Sequence, residues 1–221
     1  MTVQPPAAQP SAKMELGAYV SKAWNLMTQN LVLLIVTYLI AAILAGIPLV
    51  GLIIGGPLWF GFFRIAQKRY KGEPAEIGQI FDGFKDFSKG LVTMLLMAAV
   101  ILCVIIPVVI AFIILSFIPV CGAVLGFLIY IAALLAIGAA LYFVLPIAAL
   151  SDVAPVDAIK KGVKFMMANI GPMILLSLVT GLIAMAGAIA CGIGVLFTAP
   201  MAILIVIIAY NEWYLPSAPA A

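Results

Sequence analysis

Three observations predict an all-α, polytopic membrane protein of six transmembrane helices, arranged as three hairpins with a cytoplasmic interfacial amphipathic helix before each. First, 67% of the 221 residues are hydrophobic and 9% are charged, where a soluble domain carries about 25% charged residues to face water. Second, the charges are confined to Lys13 to Lys22, Arg64 to Lys89, Asp152 to Lys164 and a lone Glu212, leaving the charge-free runs Ala23 to Phe63, Gly90 to Ser151 and Phe165 to Asn211. Third, a segment of amphipathic helical periodicity precedes each hairpin.

One helical crossing of the hydrocarbon layer takes about 20 residues, so each charge-free run holds two. A third crossing in the middle run would separate Lys160, Lys161 and Lys164 from Arg64, Lys68, Arg69 and Lys71, against the positive-inside rule. With two crossings per run, all 11 cationic residues share one face. That face is read as cytoplasmic, with both termini on it, in the inner membrane of a bacterium.

In chain order, residues 1–12, with Pro5, Pro6 and Pro10, form a disordered tail. No secretory signal is expected, because the first apolar run starts only near Leu31 and continues past its small residues. A single membrane domain spans 13–214, and 215–221 is a second tail. Leu16, Val20, Trp24 and Met27 make the first interfacial stripe, followed by helices at about 30–47 and 51–69. Ile77, Ile80, Phe81, Phe84 and Phe87 or Ser88 make the second stripe, opposite Glu76, Gln79, Asp82, Lys85, Asp86 and Lys89, and helices at about 90–116 and 122–150 follow. These two exceed a perpendicular span, so tilt or a kink at Pro107 or Pro146 is expected. Val156, Ile159, Val163 and Met166 make the third stripe, opposite Asp157, Lys160, Lys161 and Lys164, before helices at about 170–190 and 193–213. Pro74 and Pro155 suit first helical turns, with Glu76 and Asp157 near the positive dipole end. Gly and Pro place the outer turns at 47–51, 118–122 and 190–192.

Setting Pro74 on Pro155 sets Phe84 on Phe165 and Gly90 on Gly171, and setting Asn30 on Asn169 aligns Lys22 with Lys161. The chain therefore reads as a parallel internal repeat with units of about 13–72, 73–151 and 152–214.

Two groups are candidate sites. Arg64, Lys68, Arg69, Lys71, Lys160, Lys161 and Lys164 can meet anionic lipid headgroups, each contributing on the order of 1 kcal/mol near a charged surface; setting the topology accounts for them equally well. Gly55, Gly56, Pro57, Trp59, Thr198 and Pro200 mark interrupted helices, as at the midplane pockets of transporters. Such a pocket would suit an apolar or lipid-like ligand, because no intramembrane charge accompanies it apart from Arg64 near a helix end. Gly51/Gly55, Gly122/Gly126 and Ala188/Gly192 are small pairs four apart, suited to tight helix contact. Trp24, Tyr70, Tyr210, Trp213 and Tyr214 are expected as interfacial anchors. Cys121 and Cys191 sit at outer turns as two small apolar thiols or a disulfide.

The chain contains no His, which removes the commonest general base and metal ligand. No catalytic set, metal site or cofactor site is expected. The formal charge of +3 without basic runs gives no reason to expect nucleic acid.

Phe143-Val144-Leu145-Pro146 running to Asp152, then Pro155 through Phe165 with Asn169, resembles the central signature of an uncharacterised family of bacterial six-helix membrane proteins. Gly56 through Phe63 and Ile80-Phe81-Asp82-Gly83-Phe84 are similar to other parts of it. The architecture also resembles the membrane region of glycerophosphoryl diester phosphodiesterases, without counterparts to the catalytic carboxylates and histidines of that enzyme. The resemblance covers about residues 15–214 and implies architecture, not activity.

The expected function is that of a non-enzymatic inner-membrane protein that organises or senses the bilayer, or serves as accessory subunit of a membrane complex. Membrane lipids are its expected partners, with other membrane proteins or a second copy as further candidates. The alternative is a carrier or channel for a small apolar or lipid-like molecule.

Overall fold

The computed structural model describes residues 14–118, 121–189 and 194–217, and every regular element among them is helical. In order these are α1 (Leu16–Gln29), α2 (Leu31–Ala45), α3 (Val50–Tyr70), a 3-10 helix (Ile77–Asp86), α4 (Phe87–Ser116), α5 (Cys121–Leu141), α6 (Val144–Leu150), α7 (Pro155–Ala168), α8 (Ile170–Ile189) and α9 (Val195–Ala209). A π-helical segment (Tyr210–Tyr214) and a short α10 (Leu215–Ser217) close the chain. Five stretches are long and apolar enough to cross a membrane: Val50–Tyr70, Ile77–Ser116, Val124–Leu150, Ile170–Gly187 and Val195–Ser217. A sixth arises if α1 and α2, bent by 95°, count as one broken span. The protein is thus all-helical with five or six potential membrane spans; α2 falls short by itself because its 15 residues rise only about 22 Å.

Three breaks between consecutive helices share one backbone conformation. Asn30 joins α1 to α2 at φ −129°, ψ 29°, and Asn169 joins α7 to α8 at φ −136°, ψ 43°. Asp86 joins the 3-10 helix to α4 at φ −112°, ψ 41°. Each asparagine folds its side-chain amide back onto the carbonyl four residues earlier, Leu26 at 2.9 Å and Phe165 at 3.0 Å. Each also accepts the first bond of the next helix, from Leu34 and Met173. A short polar side chain thereby satisfies one of the carbonyls that a helix end leaves orphaned.

Several elements depart from the sequence reading. The segment expected as the second interfacial α-helix is a 3-10 helix, and α4 begins at Phe87. Gly78 and Gly83 weaken α-helix there, and its backbone lies almost on that of α3. A Cβ on Gly83 would sit 1.9 Å from the Pro57 carbonyl oxygen, and one on Gly61 would sit 1.8 Å from that of Ile80. The predicted helix 122–150 is interrupted at Tyr142 and Phe143, because the ring of Pro146 excludes the carbonyl four residues before it. Pro107 causes no such interruption in α4. Residues 119 and 120 of the turn expected at 118–122 and the whole of that expected at 190–192 lie outside the described residues, as do Cys191, Gly192 and most of both tails.

The core gathers Tyr19 and Met27 of α1, Phe60 and Phe62 of α3, Phe143 just before α6, Ile147 within it, and Leu204 to Ala209 of α9. By contrast α4 buries only Gly90 and Thr93 and exposes apolar side chains from Val92 to Ile114. Apolar surface on that scale is costly in water and costs nothing against hydrocarbon.

Candidate functional site

Polar side chains converge where the end of α3, the start of α4, the end of α6 and the end of α9 meet. Arg64, half-buried on α3, is the first tie. Its Nε donates to the Ala149 carbonyl at 3.2 Å and one terminal nitrogen donates to the Asp82 carbonyl at 3.0 Å. The other terminal nitrogen pairs with the Asp86 carboxylate. The planar five-donor guanidinium holds three elements at once, which a lysine could not do. Lys89 at the start of α4 donates to the Ser151 carbonyl at 2.6 Å, a second link to the end of α6.

A third link joins α3 to the C-terminal segment. Gln67 and Asn211 exchange amide hydrogen bonds, at 2.8 Å from Gln67 Nε2 and 2.6 Å from Asn211 Nδ2. The next residue, Glu212, turns the other way, accepting from Lys22 Nζ at 2.7 Å on both oxygens and from the Tyr70 hydroxyl at 3.0 Å. Both residues fall in the π-helical segment, a geometry frequent at functional sites.

Between these links lies an open cleft of about 500 Å³. Arg64, Gln67, Lys68 and Lys71 form one wall; Ala149, Leu150 and Ser151 form the second, and Tyr210, Asn211 and Leu215 the third. Spacings of three, four and seven residues bring the four α3 side chains to one helical face. Lys68 Nζ donates to Gln79 Oε1 at 3.0 Å, and Lys71 is exposed.

Of the seven cations singled out from sequence, three line this cleft. Arg69 points away, donating to the Glu73 carbonyl at 3.0 Å and lining a separate cleft with Thr28, Gln29, Asn30 and Ala75. Lys160, Lys161 and Lys164 stand exposed on α7, Lys160 paired with Asp157 at 3.7 Å.

The six residues of the expected midplane pocket do not meet in any of the three clefts described for this structure. Gly56 and Pro57 are buried against Gly90 of α4, where a Cβ on Gly56 would lie 2.1 Å from the Gly90 carbonyl oxygen. Gly55 faces Ala45 and Met94, and Trp59 packs on Tyr38 and Phe62. Pro200 is buried in α9, and Thr198 spends its hydroxyl on the Ala184 and Gly194 carbonyls. The glycines and prolines mark close helix approach.

The aromatic residues also fall otherwise than expected. Tyr210, Trp213 and Tyr214 are buried against Phe143, and the latter two also pack on Phe165, at ring separations of 4.9 to 6.4 Å. Trp24 alone of the five stays largely exposed, with Phe197 beside it.

Sequence reasoning missed Gln67, Lys89, Ser151 and Asn211, whose partners lie 62 to 144 residues away. The lone charge of Glu212 was the one visible signal. Among the described residues no three His, Cys, Asp or Glu side chains converge on a metal-binding arrangement. No family model, curated protein or solved structure matches the chain.

Proposed function

We propose that this is a non-enzymatic integral membrane protein that organises the bilayer around it. The carrying observation is a disparity of helix length. The 15 residues of α2 rise about 22 Å and the 30 residues of α4 about 45 Å, against a hydrocarbon layer of about 30 Å. Both expose large apolar side chains, among them Val32 and Ile43 on α2 and Leu102 and Ile114 on α4. A short span is accommodated by thinning of the bilayer beside it, a long one by tilt or thickening, so the two flanks impose different local thicknesses.

The short helices support the same reading. Trp24 of α1, Phe81 of the 3-10 helix and Val156 of α7 are exposed apolar residues on segments that also carry charges. Each segment would lie in the interface, that face entering the acyl boundary. The repeated order of short helix, kink and helix pair, with Asn30, Asp86 and Asn169 at the kinks, favours three hairpin units. Cytoplasmic placement of the polar end and both termini follows from the positive-inside rule. The carrier or channel reading has less support, because Gly56 and Pro57 are engaged by Gly90.

Cryo-electron microscopy of the protein in dioleoylphosphatidylcholine nanodiscs tests this. The headgroup-to-headgroup distance beside α2 is expected to be several ångströms shorter than beside α4. A disc of uniform thickness would sink the proposal. Stoichiometric co-purification of a second membrane protein covering α2 would replace it with the accessory-subunit reading.

A further inference from the structure

We infer that the cleft between α3, α6 and the π-helical segment is a binding site for a phosphate-bearing anion. The cations are arrayed first. Arg64, Lys68 and Lys71 lie along one face of α3 and line the cleft together, with Glu73 the one acidic side chain among the described lining residues and Asp86 paired with Arg64 from outside the lining. Phosphate oxygens take up several donors at once, and ammonium and guanidinium groups supply them with charge assistance.

The walls are then fixed in place. Arg64 is anchored to two carbonyls and the Asp86 carboxylate, and Gln67 is locked to Asn211 across the cleft. A site whose donors are held before the ligand arrives loses less side-chain entropy on binding. Asn211 and Glu212 sit side by side in the π-helical segment, Asn211 bonded to Gln67 at the cleft and Glu212 to Lys22, so that carboxylate stays out of the cleft lining.

Leu150 and Leu215 add apolar lining beside the cations. The ligand class that matches is a phosphate ester with a short apolar or glycerol portion, carried on a lipid headgroup or free in solution. The membrane reading above bears only on which source supplies it.

The test uses the full chain in nanodiscs, with thermal unfolding as readout, since a ligand that binds the folded state raises its apparent stability. One arm compares discs of pure phosphatidylcholine with discs in which about a third of the lipid is phosphatidylglycerol, whose anionic headgroups attract basic clusters. The other adds glycerol 3-phosphate to the pure phosphatidylcholine discs. Wild type is expected to be stabilised saturably in at least one arm, and the arm identifies the source. Lys68→Gln/Lys71→Gln is expected to weaken the response at least tenfold, with Lys71→Gln alone as a milder variant at an exposed position. Lys160→Gln/Lys161→Gln, on exposed α7, is expected to respond as wild type. No response in either arm, an unchanged response in the cleft variants, or an equal loss in the α7 variant would overturn the proposal. Uniform disc thickness would end the bilayer-organising reading and leave this response intact.

Discussion

Lys22 Nζ lies 2.7 Å from both carboxylate oxygens of Glu212, 190 residues further along the chain. The pair ties α1 to the C-terminal segment, and Tyr70 of α3 donates to the same carboxylate. The lysine side chain is 52% exposed and the glutamate 26%, so solvent screens much of the attraction. A double-mutant cycle with Lys22→Gln and Glu212→Gln is expected to give a coupling of about 0.2–1 kcal/mol that shrinks between 50 mM and 1 M salt. Coupling that survives high salt unchanged would show a buried interaction instead.

Arg64→Lys should destabilise by about 2 kcal/mol, since one ammonium group cannot replace bonds to Ala149, Asp82 and Asp86 and charged hydrogen bonds are each worth about 1.5–3 kcal/mol. The 3-10 helix then loses its tether to α3. Limited trypsin digestion should cut faster at Lys85 and Lys89; unchanged cleavage would mean that backbone packing alone holds the segment.

Glycine contacts between α3 and the 3-10 helix leave no room for a methyl group. Gly61→Ala and Gly83→Ala should each cost about 1–3 kcal/mol or more, because the obstructing atoms are backbone oxygens that cannot rotate away. Gly181→Ala, with nothing within 4 Å of its Cβ, should be neutral or stabilising by up to about 1 kcal/mol. Thermal unfolding in a mild detergent separates the cases, and equal effects at the three positions would refute the contact.

Phe143 is fully buried among Phe165, Tyr210, Trp213 and Tyr214. Phe143→Ala should cost about 3–5 kcal/mol, the range for removing a packed aromatic ring. Trp213 emission should shift to the red as the cluster opens. Phe127→Ala, at a residue 55% exposed on α5, should do neither; matching effects would argue against a special role for the cluster.

Asn30→Ala and Asn169→Ala each remove one side-chain bond to a helix-end carbonyl and should cost about 1 kcal/mol apiece. Similar values at the two positions are expected, measured by unfolding of the single variants. A cost at one and none at the other would separate the two kinks energetically.

These kinks show how far the linear pattern reached. Aligning Asn30 on Asn169 from sequence matched two residues that make the same backbone turn and the same hydrogen bond. For the middle unit, Pro74 on Pro155 set Phe84 on Phe165, whereas the kink residue is Asp86, two positions out of step with Asn169. A 3-10 helix rises more per residue than an α-helix, so matching sequence offsets no longer match positions in space. Pro146 was visible as a kink candidate, but that it, rather than Pro107, interrupts its helix was not.

Transfer of a segment from water to hydrocarbon is a local property, a sum over about 20 neighbouring residues, which is why the all-helical class, the apolar stretches and their polar ends could be read from residue order. Partnership is not local. Gln67 meets Asn211, Lys22 meets Glu212 and Arg64 meets Asp86 only because particular helices became neighbours. Tyr210, Trp213 and Tyr214 read as membrane anchors until packing against α6 and α7 buried them. The cleft on α3 depends on the same packing: its cations were legible as charges, but the cleft they share with Asn211 and Leu150 exists only once the bundle has closed.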